Sequence, residues 1–271
     1  MKLGVLIILD DANVDAKFKQ VSDYGFNYCQ ISAWNHSLFT EEMAEKINEA
    51  CKKYNVEIST FWCGWQGPSA WNFYEGQLTL GLVPAEYRYD RMKDLMKGSD
   101  FAKKLGVKNL ATHVGFLPEN PTTKEYSEIV CAIRHVAEYC KNNGQNFLFE
   151  TGQETPVTLR RTIEDVGTGN LGINLDPANL ILYGKANPVD ALDVFGEYVM
   201  DIHAKDGKYP TDGKNLGEET PLGEGKVNFP LFIKRLKEIG YDGTLIIERE
   251  IFGDQQIEDI KKAKKLLEEL I

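Results

Sequence analysis

Residues 146–176, NFLFETGQETPVTLRRTIEDVGTGNLGINLD, decide the fold. A short apolar run over 146–150 closes on Glu150. A helical pattern over 156–166 follows, and then a second apolar run over 171–176 closes on Asp176. A strand, a crossover helix and a second strand within this length form a parallel unit, because the helix returns the chain to the same end of the sheet.

The alternation extends in both directions. Upstream, strands are expected over 3–9, 27–31, 56–62 and 108–113. Helices between them are marked by Val14, Phe18 and Val21 with Gly25 as the closing cap, then over 40–54, 84–105 and 123–143. Thr40 is a good N-cap, with Met43 and Ile47 facing inward. Downstream, strands fall over 198–203 and 244–248, with helices over 188–195, 229–239 and 255–270. Eight β/α pairs in 271 residues point to the α/β class and a closed (β/α)8 TIM barrel, a single domain over 1–271. The alternative is an open doubly wound sheet, but no Gly-rich dinucleotide fingerprint opens the chain. Two connections are too long for turns, residues 63–83 and 205–228, and both fall on the C-terminal face where barrel active sites form. They carry Trp65, Trp71, Phe73, Tyr74 and Tyr209, so they are expected to wall a pocket.

Composition narrows the classes of function. With 31 basic and 41 acidic residues the formal net charge is −10, which counts against nucleic acid and anionic membranes as partners. Lys261, Lys262, Lys264 and Lys265 are interleaved with acids and read as a solvated helix face. The five cysteines are odd in number and contain no C-x-x-C pair, as expected of a reduced, cytoplasmic protein. The apolar run at the N-terminus is too short for a signal peptide and ends at Asp10 and Asp11. No stretch reaches the length of a membrane span.

The strand ends carry the chemistry. Four consecutive strands finish F-L-F-E at Glu150, G-I-N-L-D at Asp176, M-D-I-H at His203 and L-I-I-E at Glu248. A single acid at a strand end is commonly a helix cap, and Asp176 before Pro177 fits that role; a lone His203 fits a core histidine. Together, in one register of an eight-fold repeat, they suit a divalent ion held by carboxylates and an imidazole: manganese first, with magnesium, cobalt or zinc as alternatives.

The segments FETGQ (149–153), NLDPAN (174–179), DIHAKDG (201–207), PLGEG (221–225) and LIIERE (245–250) resemble the xylose isomerase-like TIM-barrel superfamily, the sugar phosphate isomerase/epimerase family. The resemblance runs along essentially the whole chain and is sharpest from the fifth strand onward. It implies that Glu150, Asp176, His203 and Glu248 bind one metal ion and, by analogy with ketose 3-epimerases, that Glu150 and Glu248 are the acid/base pair. Two departures bear on the sugar. Asn179 stands where those epimerases place a substrate-binding histidine, and Tyr209 where they place an arginine.

An ion chelated by a carbonyl and an adjacent hydroxyl acidifies the neighbouring C–H, and carboxylates then move the proton. Return to the opposite face epimerises the centre, return to the adjacent carbon isomerises an aldose and a ketose, and loss of a β-hydroxyl dehydrates. The expected function is therefore a metal-dependent sugar isomerase or epimerase. The rivals are a keto-polyol dehydratase and a non-catalytic or heteromeric barrel subunit; a multi-zinc nuclease is disfavoured by the four histidines and the charge. Substrate-binding candidates are His113, Gln153, Asn179, Lys205, Arg249, Trp62 and Trp65. Lys205 has a structural alternative in a salt bridge to Asp206 or Glu224. Gly223 and Gly225 read as tight turns rather than a phosphate cradle, since Glu224 lies between them, and the substrate is expected to be uncharged or to carry one anionic group. Self-association is expected only by analogy with related barrels.

Overall fold

The structure is a computed structural model that describes residues 1–10 and 13–271. Its strands are β1 (Lys2–Ile8), β2 (Tyr28–Ala33), β3 (Glu57–Cys63), β4 (Asn109–Thr112), β5 (Asn146–Glu150), β6 (Leu171–Leu175), β7 (Val199–Ala204) and β8 (Thr244–Ile247). Each pairs in parallel with the next, and β8 pairs back onto β1, Lys2 opposite Thr244, to close the barrel. The crossovers are α1 (Val14–Asp23), α2 (Glu41–Tyr54), α3 (Ala85–Lys104), α4 (Lys124–Asn142), α5 (Pro156–Val166), α6 (Pro188–Phe195), α7 (Phe229–Glu238) and α8 (Asp254–Leu270). The (β/α)8 expectation therefore holds.

Local sequence starts several helices. The Thr40, Thr123 and Thr155 hydroxyls accept from the Met43, Tyr126 and Thr158 amides at 3.2, 3.2 and 3.3 Å. Pro156 and Pro188 occupy the first helical turn, where no N–H partner is needed. Between strands and helices lies the apolar core, with Phe61, Phe101, Phe147, Phe149, Phe195 and Phe232 buried.

The boundaries moved at the strand ends that matter most. β4 stops at Thr112, one residue short of His113. β6 stops at Leu175, because Asp176 caps a short helix, Pro177–Leu182, that the periodicity did not reveal. β7 runs through His203 to Ala204, and β8 ends one residue before Glu248. The first long connection contains a helical turn, Gly76–Thr79, and the second a two-stranded antiparallel ribbon, Asp206–Gly207 with Glu219–Thr220.

The first long connection is fastened to the loop after β4 by close backbone approach. Leu82 N donates to Val114 O at 2.7 Å. Gly81 and Gly115 both adopt positive φ, +66° and +98°, and a Cβ would lie 2.0 Å from Val114 O at the first and 2.3 Å from Leu80 O at the second. Gly115, two residues past His113, thus packs its backbone against this loop. Arg91, on α3, adds a clamp: its guanidinium donates to the Thr79, Gly81 and Pro68 carbonyls at 2.7, 2.7 and 2.8 Å. No helix among the described residues is long and apolar enough to cross a membrane.

Candidate metal centre

Glu150, Asp176, His203 and Glu248 come from four consecutive strand ends, and each offers a ligand atom such that these atoms all lie within 4.8 Å of one another. His203 Nδ1 is the hub, 3.3 Å from Glu150 Oε1, 3.8 Å from Asp176 Oδ2 and 3.0 Å from Glu248 Oε2. Asp176 serves two purposes, as the sequence allowed: its Oδ1 accepts from Asn179 N at 2.9 Å to cap the short helix, while Oδ2 faces the cluster.

The donor set fits a divalent ion. His203 Nδ1, Asp176 Oδ2 and Glu248 Oε2 are buried yet make no properly aligned hydrogen bond. Buried polar atoms without an aligned hydrogen bond are costly, and three converging on one point are satisfied at once by a cation. Ligands about 2.0–2.6 Å from an ion lie at most roughly 4–5 Å apart across it, which matches the observed spread. Oxygen-rich ligands with one imidazole suit manganese, magnesium, cobalt or zinc.

The neighbouring side chains control charge. Glu150 Oε1 receives Asn179 Nδ2 at 3.2 Å and lies 3.3 Å from His113 Nε2, and Trp62 Nε1 donates to Oε2. Burial works to raise the Glu150 carboxyl, but the His113 and His203 imidazoles hold it well below the usual range. Glu248 is likewise opposed by burial and is held at about 2 by Lys205 and His203. Lys205 lies 3.0 Å from Glu250, 3.4 Å from Glu248 and 3.5 Å from Asp176. Although burial disfavours its charge, these carboxylates, Glu248 first, keep the Lys205 ammonium well above its ordinary pKa.

Lys205 therefore does not pair with Asp206 or Glu224. Asp206 instead accepts from the backbone amides of Gly207, Gly223, Gly225 and Val227 at 2.9–3.1 Å, which organises the second long connection.

Above the cluster opens a cavity of about 300 Å³, lined by Trp34, Trp62, Trp71, His113, Glu150, Asn179, His203, Lys205 and Glu248 among others. All four tryptophans of the chain form one aromatic group, with Trp34 centroids 5.1, 5.3 and 6.4 Å from Trp62, Trp65 and Trp71. Both long connections reach the wall, through Trp71 and Leu216.

Of the substrate-binding candidates, His113, Asn179, Lys205 and Trp62 face the cavity. Trp65 packs behind them, buried with Leu80 and Ala111. Gln153 is buried beside the Tyr183 hydroxyl, and it is not on the cavity wall. Arg249 is drawn away, paired with Glu219 at 3.0 Å and Asp259 at 2.9 Å.

Several residues around the cluster were missed by sequence reasoning: Trp34, Tyr183 and Glu250 on the wall, and Gln30, Asn174 and Asp201 beneath it. The last three had a signal, since each is a polar residue inside an otherwise apolar strand. Trp34 and Tyr183 had none, because both lie just past the end of an element.

Comparison with known proteins places this geometry in a family. The model of the xylose isomerase-like TIM barrel matches residues 18–270. The solved structure of a xylose isomerase domain protein from Planctomyces limnophilus is 36% identical, with a TM-score of 0.93 over 99% of this chain and 96% of that one. A D-tagatose 3-epimerase-like protein is 22% identical, with a TM-score of 0.76 over 100% of this chain and 97% of that one, a likeness of fold alone. A probable endonuclease 4 of Thermotoga neapolitana is 25% identical over 92% of this chain and 91% of its own length. With nearly its whole length matched and the barrel closed as described, the chain belongs to the xylose isomerase-like TIM-barrel family.

Proposed function

We propose that this protein is a divalent-metal-dependent isomerase or epimerase acting on a small keto-sugar or sugar derivative. The observation that carries this reading is the convergence of three buried ligand atoms that make no aligned hydrogen bond, with Glu150 beside them, at the floor of a cavity with an aromatic wall. Glu150, Asp176, His203 and Glu248 would hold the ion, which would supply Lewis acidity to a carbonyl oxygen of the substrate and so acidify the adjacent C–H.

The protein's own groups do the rest. Trp34, Trp62 and Trp71 offer apolar faces for the C–H side of a sugar and exclude water. Trp62 and Asn179 donate to Glu150 and hold its carboxylate in one orientation. Glu248, ionised next to Lys205 and His203, is available to take a proton at a carboxylate oxygen, and Glu150, once it has itself received a proton from His113 3.3 Å away, is placed to return one. Lys205 is committed to carboxylates and is the lone Lys or Arg among the described lining residues. The Gly223 and Gly225 amides are occupied by Asp206. Both features favour an uncharged substrate.

The test is a panel of ketoses with protein stripped of metal and then reloaded with Mn2+, the products read by NMR in D2O. Metal-dependent inversion or carbonyl migration, with solvent deuterium at the affected carbon, is expected. Glu248→Gln and Glu150→Gln should each lose at least ~10²-fold in turnover, and exchange without inversion in one of them would identify the face each glutamate serves. Loss of water from the substrate would favour a dehydratase instead, and full activity without metal would remove the mechanism.

A further inference from the structure

Beneath the candidate metal centre lies a buried carboxylate that the proposed chemistry does not use. We propose that Asp201, acting through Gln30, fixes the tautomer of His203 so that Nδ1 is bare towards the metal position. Both are positioning residues, and the proposal rests on reading the four-residue cluster as a metal site.

The strand repeat places Asp201 two residues before His203 on β7, on the same inward face and one layer deeper. Asp201 is fully buried. Its Oδ2 accepts from Ser59 Oγ and Thr60 Oγ1, both at 2.7 Å, and from Gln30 Nε2 at 3.2 Å. Its Oδ1 accepts from Ile202 N at 3.0 Å and from Thr244 Oγ1. Donors thus reach it from strands on several sides of the barrel.

Asp201 Oδ2 accepts here, so Gln30 turns its NH2 towards it. The other proton of that NH2 goes to Asn174 Oδ1 at 3.2 Å. This leaves Gln30 Oε1 2.7 Å from His203 Nε2. An amide oxygen also only accepts, so Nε2 carries a proton and donates it. A neutral imidazole holds one N–H, so the lone pair falls on Nδ1, the atom facing Glu150, Asp176 and Glu248.

Inverting the Gln30 amide would set its oxygen against the Asp201 carboxylate and the Asn174 oxygen together. It would also present NH2 to Nε2, forcing the proton onto Nδ1 and blocking ligation. Two sets of contacts bear against the favoured arrangement: Asn174 Nδ2 lies 3.0 Å from Nε2 and would donate to it if it were bare, and in the metal-free protein Glu248 Oε2 and Glu150 Oε1, 3.0 and 3.3 Å from Nδ1, hold a further proton there until an ion displaces it. Gln30 Oε1 is nearer than Asn174 Nδ2 and is oriented by Asp201, so Nε2 keeps its own proton. A partner on the non-ligating nitrogen is the usual means of orienting a metal-binding histidine. Here the partner is neutral, and the charge that orients it lies one residue further away.

The test uses the full-length protein with 15N-labelled histidine, and the His203 resonances are assigned by their loss in His203→Asn. In the Zn2+-loaded wild type, Nδ1 is expected to be the metal-bound nitrogen and Nε2 the protonated one. Zn2+ bound through Nε2 would overturn the proposal without any variant of Gln30 or Asp201. In Gln30→Met, which keeps the bulk but removes Oε1, Asn174 Nδ2 is expected to donate to Nε2 and shift the proton to Nδ1. Zn2+ affinity, a diamagnetic probe of the site, should fall about 10–100-fold. Asp201→Asn, which lets Gln30 turn either way, should show mixed tautomers and an intermediate loss. Variants that keep the wild-type 15N pattern and Zn2+ affinity within twofold would overturn the relay. A wild type that binds no metal would sink the metal reading, and the relay would then stand or fall on whether Gln30→Met moves the metal-free His203 15N shifts, unchanged shifts overturning it.

Discussion

If the cluster is a metal site, loading it must expel a proton, and the number follows from the geometry. Without metal, the Glu150, Asp176 and Glu248 carboxylates face the Lys205 ammonium and the His203 imidazole, with His113 on the far side of Glu150. Burial alone would lower the His203 pKa, but Glu248 and then Glu150 hold it well above its ordinary value. At pH 7 the imidazole is therefore charged, with Nδ1 protonated. That nitrogen cannot ligate until the proton leaves, so each ion bound at pH 7 should release about one proton. The sign is definite: raising the pH favours the loaded state. Apparent affinity should climb about tenfold, or about 1.4 kcal/mol, per pH unit for as long as the metal-free imidazole stays charged. The assay is calorimetric titration of Mn2+ into metal-free protein at pH 7, in two buffers of very different ionisation enthalpy. The slope of observed heat against buffer enthalpy counts the protons. His113→Asn should leave the count near one, whereas Glu248→Gln, which removes the foremost partner of His203, should reduce it. A protein that binds Mn2+ stoichiometrically with no proton release would refute this account of the site.

Three further expectations follow from other parts of the molecule. Arg91→Met removes the guanidinium clamp on residues 66–81, and with charge-assisted hydrogen bonds contributing about 1.5–3 kcal/mol each it should destabilise the fold by at least about 3 kcal/mol; a Tm within a degree or two of wild type would show the clamp to be dispensable. Burial lifts the Glu154 carboxyl from 4.5 to about 7, so its stabilising contribution is present at low pH and lost as pH rises through 7. Glu154→Gln should therefore match wild type near pH 4 and exceed it by up to about 3 kcal/mol at pH 8 in denaturant melts, and a difference that does not vary with pH would count against the shift. Finally, kcat/KM for a parent ketose should exceed that for its phosphate ester at least about tenfold, since the described cation and amide donors near the cavity are already engaged; the reverse order would show an anion subsite.

The barrel was legible in the sequence because hydrophobic period and turn chemistry are local. The stretch 146–176 reads as strand, helix and strand from one end to the other, and its elements were found with ends shifted by no more than a residue. The four metal-competent residues were legible for a related reason. Equivalent strand ends of a closed parallel barrel must meet around one axis, so position in the repeat stood in for position in space.

What the sequence left open was which side chain answers which. Lys205 has Asp206 beside it in the chain yet pairs with Glu250, Glu248 and Asp176, because adjacent strand residues point to opposite sides while β8 brings its end alongside β7. Arg249 sits next to Glu248 but faces α8, where Asp259 draws it from the cavity. Gln30 and Asp201 are 171 residues apart and meet only because the barrel closes. The orientation of the His203 ring depends on that meeting. Strand and helix periodicities are determined by neighbours in the chain, whereas charge pairing, amide orientation and imidazole tautomer are determined by neighbours across the barrel, which exist only once it has closed.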